Sequence, residues 1–290
     1  ITGGTGFIGR HTASELARRG HRLLLLTRRS NPKELFASRK NIAFVRGDIR
    51  NVGAWSGLVK RFRPDVVLHM AWEGIPDYGP RASIKNLNGG LGVIRLAAAI
   101  SCKRLVCVGS DKEYGVSAGK VDESTGLHPF TAFSAAKTAL HWIGKEIARE
   151  NGIKFVWARI FFAYGPGQRP AALIPYLLSC IQKGVQPEIK NVAGANDFVY
   201  IDDVARALAM LAEKRFVKND LYNIASGRLT SVRDIVNIAY GRTVSGRRPK
   251  ESSGSYADIS RIKKDIGWSP KVDIKSGVRK TKAYYNNKKA

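Results

Sequence analysis

The 290-residue sequence predicts a doubly wound α/β fold built on a parallel sheet, and three observations carry that reading. A glycine-spaced turn, Thr2-Gly3-Gly4-Thr5-Gly6-Phe7-Ile8-Gly9, leads straight into an amphipathic helix. The apolar runs Asp65-Val66-Val67-Leu68-His69-Met70 and Arg104-Leu105-Val106-Cys107-Val108 lack the alternation of a half-exposed strand, as expected where both faces are covered. Strand and helix patterns also alternate through the first two thirds of the chain, an order that produces a parallel sheet with ligands at the strand C-termini.

In chain order, Ile1 and Thr2 alone precede the glycine turn. That is short for the strand that feeds such a turn, so residue 1 is expected not to be the biological start. Gly3 takes the tight turn, Gly6 lets backbone amides approach a pyrophosphate, and Gly9 permits close helix–strand packing. The following helix N-terminus adds free N–H groups and a positive dipole end. Ile8, Ala13, Leu16 and Ala17 mark the apolar face of that helix, Gly20 closes it, and residues 22–27 read as the next strand. Residues 42–45 form a short strand, and Trp55, Leu58, Val59 and Phe62 mark one helical face. Long helices are expected over 84–100 and 131–150, with a strand over 154–161.

After Pro166 the elements shorten and are punctuated by Pro and Gly. Helices are expected over 173–183, 203–214, 232–240 and 260–266, with a small strand over 198–201, and the polar tail 280–290 is expected to fray. The division is thus a dinucleotide-binding Rossmann domain over 1–165, lacking most of its first strand, and a smaller α/β substrate lobe over 166–290. The two are expected to interleave and exchange chain.

Composition narrows the classes. With 49 Lys+Arg against 23 Asp+Glu, the net charge is +26, a field that favours anionic partners such as sugar diphosphates. The basic residues are dispersed, denser from Arg242 to Lys289, and no aromatic-interleaved basic stripe or RNA-recognition signature appears. Nucleic acid is therefore not the expected partner. No apolar run approaches bilayer length, so no membrane is expected. Cys102, Cys107 and Cys180 are odd in number and without metal spacing, and read as reduced, buried thiols of a cytoplasmic-type compartment. His11, His21, His69, His128 and His141 form no ligand pattern, and no metal site is expected.

Taken in order, further motifs join the glycine turn. They include Gly47-Asp48-Ile49, Leu68-His69-Met70-Ala71-Trp72, Asn86-Leu87-Asn88-Gly89-Gly90 and Gly109-Ser110-Asp111-Lys112-Glu113-Tyr114-Gly115. Later come Tyr164-Gly165-Pro166-Gly167-Gln168-Arg169, Asp197-Phe198-Val199-Tyr200-Ile201-Asp202-Asp203-Val204, Tyr222-Asn223-Ile224-Ala225-Ser226-Gly227 and Ile266-Gly267-Trp268-Ser269-Pro270. Together they resemble the extended short-chain dehydrogenase/reductase family, the epimerase/dehydratase group acting on nucleotide sugars. The resemblance implies a nicotinamide cofactor held at Gly3, Thr5, Gly6, Phe7, Ile8, Asp48, Ile49, Met70, Ala71, Lys137 and Ile160. It implies a nucleoside-diphosphate sugar as substrate and a homodimer formed through the two long helices.

The second strand ends in Thr27-Arg28-Arg29-Ser30 rather than in the acid that binds both ribose hydroxyls in NAD-preferring sites. Guanidinium forks suit a 2′-phosphate, so Arg28 and Arg29 favour NADP(H), with NAD(H) as the alternative.

In the family a tyrosine four residues before a lysine moves the proton, since positions i and i+4 share a helix face. The lysine binds the nicotinamide ribose and lowers the phenol pKa, and a Ser or Thr bonds the reacting oxygen. By position Ser110 and Lys137 take two of these roles, but the tyrosine position holds Phe133, which has no titratable proton. Three readings stand: a deliberate Tyr→Phe change that keeps the fold, another group such as Tyr114, Asp111 or Glu113 in the proton role, or a silent relative that binds NADP(H) or nucleic acid.

Lys112 stands where dehydratases place the base of an Asp-Glu pair. That argues against 4,6-dehydration and leaves epimerisation or 4-keto reduction. Phe162 replaces the family's substrate-binding asparagine, and Asn196 stands where relatives often have arginine. Candidate diphosphate ligands are Arg169, Arg206, Arg247 and Arg248, with Arg169 and Arg248 preferred and Asp111 and Ser110 beside the sugar.

Overall fold

In the computed structural model, residues 1–36, 39–115, 118–189, 191–242 and 254–287 are described. The elements run in chain order: α1 (Phe7–Arg18), β1 (Leu23–Thr27), β2 (Ile42–Arg46), α2 (Gly53–Phe62), β3 (Val66–His69), α3 (Pro80–Ala99), β4 (Arg104–Ser110), β5 (Gly119–Val121) and α4 (Ala132–Glu150). There follow β6 (Lys154–Ile160), β7 (Phe162–Tyr164), α5 (Leu173–Lys183), β8 (Ala195–Asn196), β9 (Phe198–Tyr200), α6 (Ile201–Glu213) and β10 (Leu221–Ile224). The last are β11 (Thr230–Ser231), α7 (Val232–Ala239), β12 (Ser255–Ala257), α8 (Ser260–Ile266) and α9 (Ile274–Asn287). The chain forms two compact units. One comprises Ile1–Gly115, Gly126–Arg159 and Ala205–Tyr222, the other Val116–Thr125, Ile160–Val204 and Asn223–Ala290.

In the first unit β1 pairs in parallel with β2, β3 pairs in parallel with β4, and a run ordered β10-β6-β4-β3 completes the sheet. Thr2 joins the halves, bridging in parallel to Leu26 on one side and His69 on the other. The order across the sheet is therefore β2-β1-Thr2-β3-β4-β6-β10. Strand order reverses on either side of Thr2, the switch point where such sheets open a crevice at their C-terminal ends. β4 and β6 are buried along almost their whole length, which explains their largely apolar sequence.

Glycines set the helix packing. A Cβ on Gly90 of α3 would stand 2.8 Å from Leu140 of α4, and one on Gly144 of α4 would stand 2.7 Å from Ile94 of α3, so the two helices approach closely because these positions are bare. α3 begins at Pro80, earlier than its apolar periodicity suggests, because proline at the first helical position is already in helical geometry. The expected apolar face of α2 is narrower than 55-58-59-62. Trp55 is buried, whereas Leu58 is 45% exposed. Cys102, Cys107 and Cys180 are buried free thiols.

In the second unit β7 pairs in parallel with β9 and β5 with β12, while β8 pairs antiparallel with β11. Asp197 ties these pieces together. Its fully buried carboxylate accepts from Ser226 N and Oγ, Gly227 N and Ala257 N, and burial lifts its pKa to about 6. Asp203 does similar work for the segment before α9, accepting from Lys271 N and Val272 N. The tail does not fray where expected: α9 is helical to Asn287. Val278 and Thr281 are buried, and Gly277 lies so close to Tyr164 that any Cβ would overlap its hydroxyl. A polar composition hid this helix because only one narrow stripe is apolar. No helix among the described residues is long and apolar enough to cross a membrane.

Candidate functional site

The glycine turn folds as its spacing requires. Gly3 has φ +72°, and a Cβ there would stand 2.6 Å from Ala71 N, so the turn lies directly on the segment leaving β3. Gly6 N donates to Gly3 O at 3.0 Å. A Cβ on Gly9 would stand 2.0 Å from Gly3 O, so α1 seats on the turn only with glycine there. Gly6 caps α1 without a side-chain hydrogen bond, which leaves the first N–H groups of the helix for a ligand.

Beside the turn lies a cavity of about 470 Å³ lined by Gly3, Thr5, Gly6, Thr27, Arg28, Arg29, Asp48, Ile49, Ala71, Trp72 and Glu73. Its size suits a cofactor site. The residues present fit a dinucleotide: bare glycines, an uncapped helix end, and the indole N–H of Trp72 buried with no acceptor. Phe7 and Ile8 open α1, half-buried, while Met70 and Ala71 follow β3 immediately. Asn86 of α3 pins this segment, its amide accepting from Glu73 N and donating to Glu73 O. Another cavity, of about 380 Å³, is lined by Leu16, Leu23, Val67 and Leu96 together with His21, Arg22, Arg63, Asp65 and Glu213, and by none of Gly3, Gly6 and Gly9.

Charges at the cavity are already arranged. Arg50 holds Asp48 in a fork at 2.7 and 3.0 Å, keeping its pKa at about 2. Arg28 lies 2.8 Å from Glu73 and 3.7 Å from Asp48. The guanidinium of Arg29 is exposed and enters no ion pair among the described residues.

Ser110 ends β4 and caps the short turn Asp111–Tyr114: its Oγ accepts from Lys112 N at 3.2 Å and donates to Asp111 Oδ1 at 3.1 Å. Thr131 starts α4 through a reciprocal cap with Ser134, which sets Phe133 and Lys137 one turn apart in the helix. Phe133 is 4% exposed, edge-on to Trp72 at 5.3 Å and tilted against Tyr78 at 5.0 Å. Lys137 is 5% exposed. Its Nζ donates to Val108 O at 2.7 Å and stands 4.1 Å over the Trp72 ring, and burial brings its pKa down to about 8.

Two of the alternative proton carriers are enclosed. Glu113 is fully buried and accepts from Ser110 N, from Trp157 Nε1 and, at 2.8 Å, from Arg159 Nε. Tyr114 is buried under the Arg159 guanidinium, 4.6 Å from its ring centre. Asp111 is different. Its carboxyl keeps 12% of its surface, and burial raises its pKa.

The remaining residues fall in several places. Ile160 is buried at the end of β6, Phe162 packs its ring on Phe198 within the second unit, and Arg169 is exposed there. Arg206 lies in α6 and Asn196 in β8. Arg247 and Arg248 lie outside the described residues. His69 packs inside the sheet, Nδ1 to Thr2 Oγ1 at 2.8 Å, with its pKa lowered to about 3 by burial. No cluster of metal-binding side chains occurs among the described residues. Sequence reasoning missed Trp72 and Glu73, which line the cavity, and Tyr78, which packs on Phe133. The HMAW motif pointed at the segment, but nothing in it marked which way these side chains would turn.

A model of the NAD dependent epimerase/dehydratase family matches residues 1–225. The chain is 28% identical, over 98% of its length, to a trifunctional UDP-glucose 4,6-dehydratase/UDP-4-keto-6-deoxy-D-glucose 3,5-epimerase/UDP-4-keto-L-rhamnose-reductase of Arabidopsis thaliana, and spans 46% of that protein, about half its length. UDP-glucose 4-epimerase from Thermotoga maritima, solved with UDP-glucose, superposes with a TM-score of 0.86 at 24% identity, covering 100% of this chain and 98% of that one. A Tyr-to-Phe mutant of UDP-glucuronic acid 4-epimerase from Bacillus cereus, solved with NAD and a fluorinated UDP-glucuronic acid, gives 0.84 at 22% identity, covering 99% and 98%. At such identities the two structures establish the shared fold alone. The family match covers most of the chain: this protein belongs to the NAD dependent epimerase/dehydratase family.

Proposed function

We propose that the chain is an NAD(P)-dependent epimerase or 4-keto reductase of a nucleoside-diphosphate sugar, working with Phe133 in the place of the usual tyrosine. The observation that carries this reading is Trp72, which lines the glycine-bounded cavity and touches both Lys137 and Phe133, with Lys137 Nζ bonded to Val108 O two residues before Ser110. The bound nicotinamide would exchange a hydride with the sugar carbon. Lys137 would exchange its bond to Val108 O for one to the cofactor ribose, and Ser110 would bond the reacting oxygen. Gly3, Thr5, Gly6, Phe7 and Ile8 would hold the pyrophosphate, Asp48 and Ile49 the adenine side, and Met70, Ala71 and Ile160 the nicotinamide side.

Arg29 supports NADP(H), because its fork is uncommitted while Arg28 is engaged by Glu73; NAD(H) is the alternative. Lys112 beside Asp111 supports epimerisation or reduction over dehydration, since an ammonium is a poor base for carbon. Arg169 and Arg248 are the diphosphate ligands in this reading, and Phe162 reshapes the sugar pocket. Exposed Ile84 of α3, with Trp142 and Ile143 of α4, supports a homodimer through these helices, which light scattering would measure directly.

Calorimetry with NAD(H) and NADP(H) tests the reading, followed by assays on UDP-sugars and 4-keto sugar nucleotides. Reductase activity appears as oxidation of reduced cofactor at 340 nm, epimerase activity as sugar interconversion without net cofactor change. Absence of heat with both coenzymes overturns it.

A further inference from the structure

A hydroxyl has one proton to donate and two lone pairs to accept with. Ser110 Oγ spends its proton on Asp111 Oδ1 at 3.1 Å and one lone pair on Lys112 N at 3.2 Å. The capping box also turns Glu113 N toward that oxygen, so an incoming hydroxyl takes the place of one of the two capping N–H groups. Asp111 is also the one carboxyl of this turn that is not consumed by structure, since Glu113 is held by Ser110 N, Trp157 and Arg159.

We propose that Ser110 and Asp111 form a two-step proton relay that replaces the phenol missing at Phe133. This rests on the dehydrogenase chemistry proposed above. In alcohol oxidation, the O–H bond of the sugar breaks and its proton passes to Ser110 Oγ. The proton already on Oγ passes to Asp111 Oδ1, leaving Asp111 neutral and Ser110 unchanged. The carbon's hydride leaves for the cofactor, and the oxygen keeps the electron pair that closes the carbonyl. Carbonyl reduction runs the same transfers backwards, so atoms and charge balance in both directions.

The direction of the pH dependence follows. Asp111 must be ionised to receive a proton and protonated to give one. Oxidation therefore gains rate as pH rises through its pKa, and reduction loses rate. Burial puts that pKa above the usual aspartate range. Among the described residues the charge facing Asp111 is Lys112, whose Nζ lies 3.8 Å away. Lys137 of α4 is directed at Val108 O and Trp72, and Glu113 at Trp157 and Arg159.

The test compares wild type, D111N, F133Y and the D111N/F133Y pair in single-turnover cofactor reduction at 340 nm, with UDP-glucose, UDP-galactose and UDP-glucuronic acid as probes. The relay predicts that D111N slows the step by about 100-fold or more and flattens its pH profile. It also predicts that adding F133Y to D111N restores the rate, because a phenol bypasses the relay. A merely structural Asp111 would not be rescued in this way.

An infrared titration of the Asp111 carboxyl in cofactor-free protein supplies a readout independent of turnover. S110A should raise its midpoint, since a donor to the carboxylate has been removed. Unchanged rates in D111N, failure of F133Y to rescue, or a midpoint in the ordinary range unmoved by S110A overturns the relay. Activity in F133Y with none in wild type overturns the relay and leaves the proposed function standing. Inactivity of both overturns the two together.

Discussion

The glycine turn and the turn that follows β4 occupy the C-terminal ends of one sheet, but they depend on the sequence in different ways. At the glycine turn the chemistry is backbone: bare positions at Gly3 and Gly9, plus an uncapped helix end, make the cavity wall. After β4 it is side-chain chemistry, set by which partners Ser110, Asp111 and Glu113 bond. In the first region any Cβ at Gly3 or Gly9 collides with backbone. The second rests on a frame of side-chain hydrogen bonds, built by Glu113 and the Thr131–Ser134 cap.

The largest expected effect lies in that frame. Glu113→Gln leaves the buried Arg159 without its counter-charge and should cost about 3–5 kcal/mol in urea denaturation. A loss below about 1 kcal/mol would mean the frame is not what holds Ser110 in place. Next is Lys137, whose pKa falls from 10.5 to about 8. Below pH 8 both folded and unfolded forms carry the proton. Above it the unfolded chain holds more, so the contribution to stability rises with pH, by about 3 kcal/mol across the interval. Subtracting the pH profile of Lys137→Met from that of wild type should isolate this slope.

At the glycine turn, Gly9→Ala drives a methyl into Gly3 O and should cost about 2–3 kcal/mol, with loss of coenzyme heat in calorimetry. Cofactor binding that survives intact would show that the turn has slack the spacing denies. The smallest effect concerns Arg29. Arg29→Ala should weaken NADPH about tenfold and leave NADH unchanged; equal losses for both would remove the phosphate-binding role.

Much of this was legible in the residues. Glycine spacing, largely apolar strands and helix periodicity come from local sterics and burial, so the sheet, the α1 seat and the i, i+4 pairing of Phe133 with Lys137 could be read directly. Leu58 was misread because a narrow helix face and a wide one share the same spacing. The α9 tail was misread because polar composition conceals a single buried stripe.

What the sequence by itself determined is the doubly wound frame and the absence of a phenol at position 133. Both follow from residue identity and near-neighbour geometry. Only the tertiary structure decided which polar groups are consumed. Glu113 is spent on Trp157 and Arg159, dozens of residues away, and Arg28 on Glu73, whereas Asp111 keeps its bond to Ser110 and part of its surface. Such commitments depend on distances between segments remote in the chain, which no local spacing encodes.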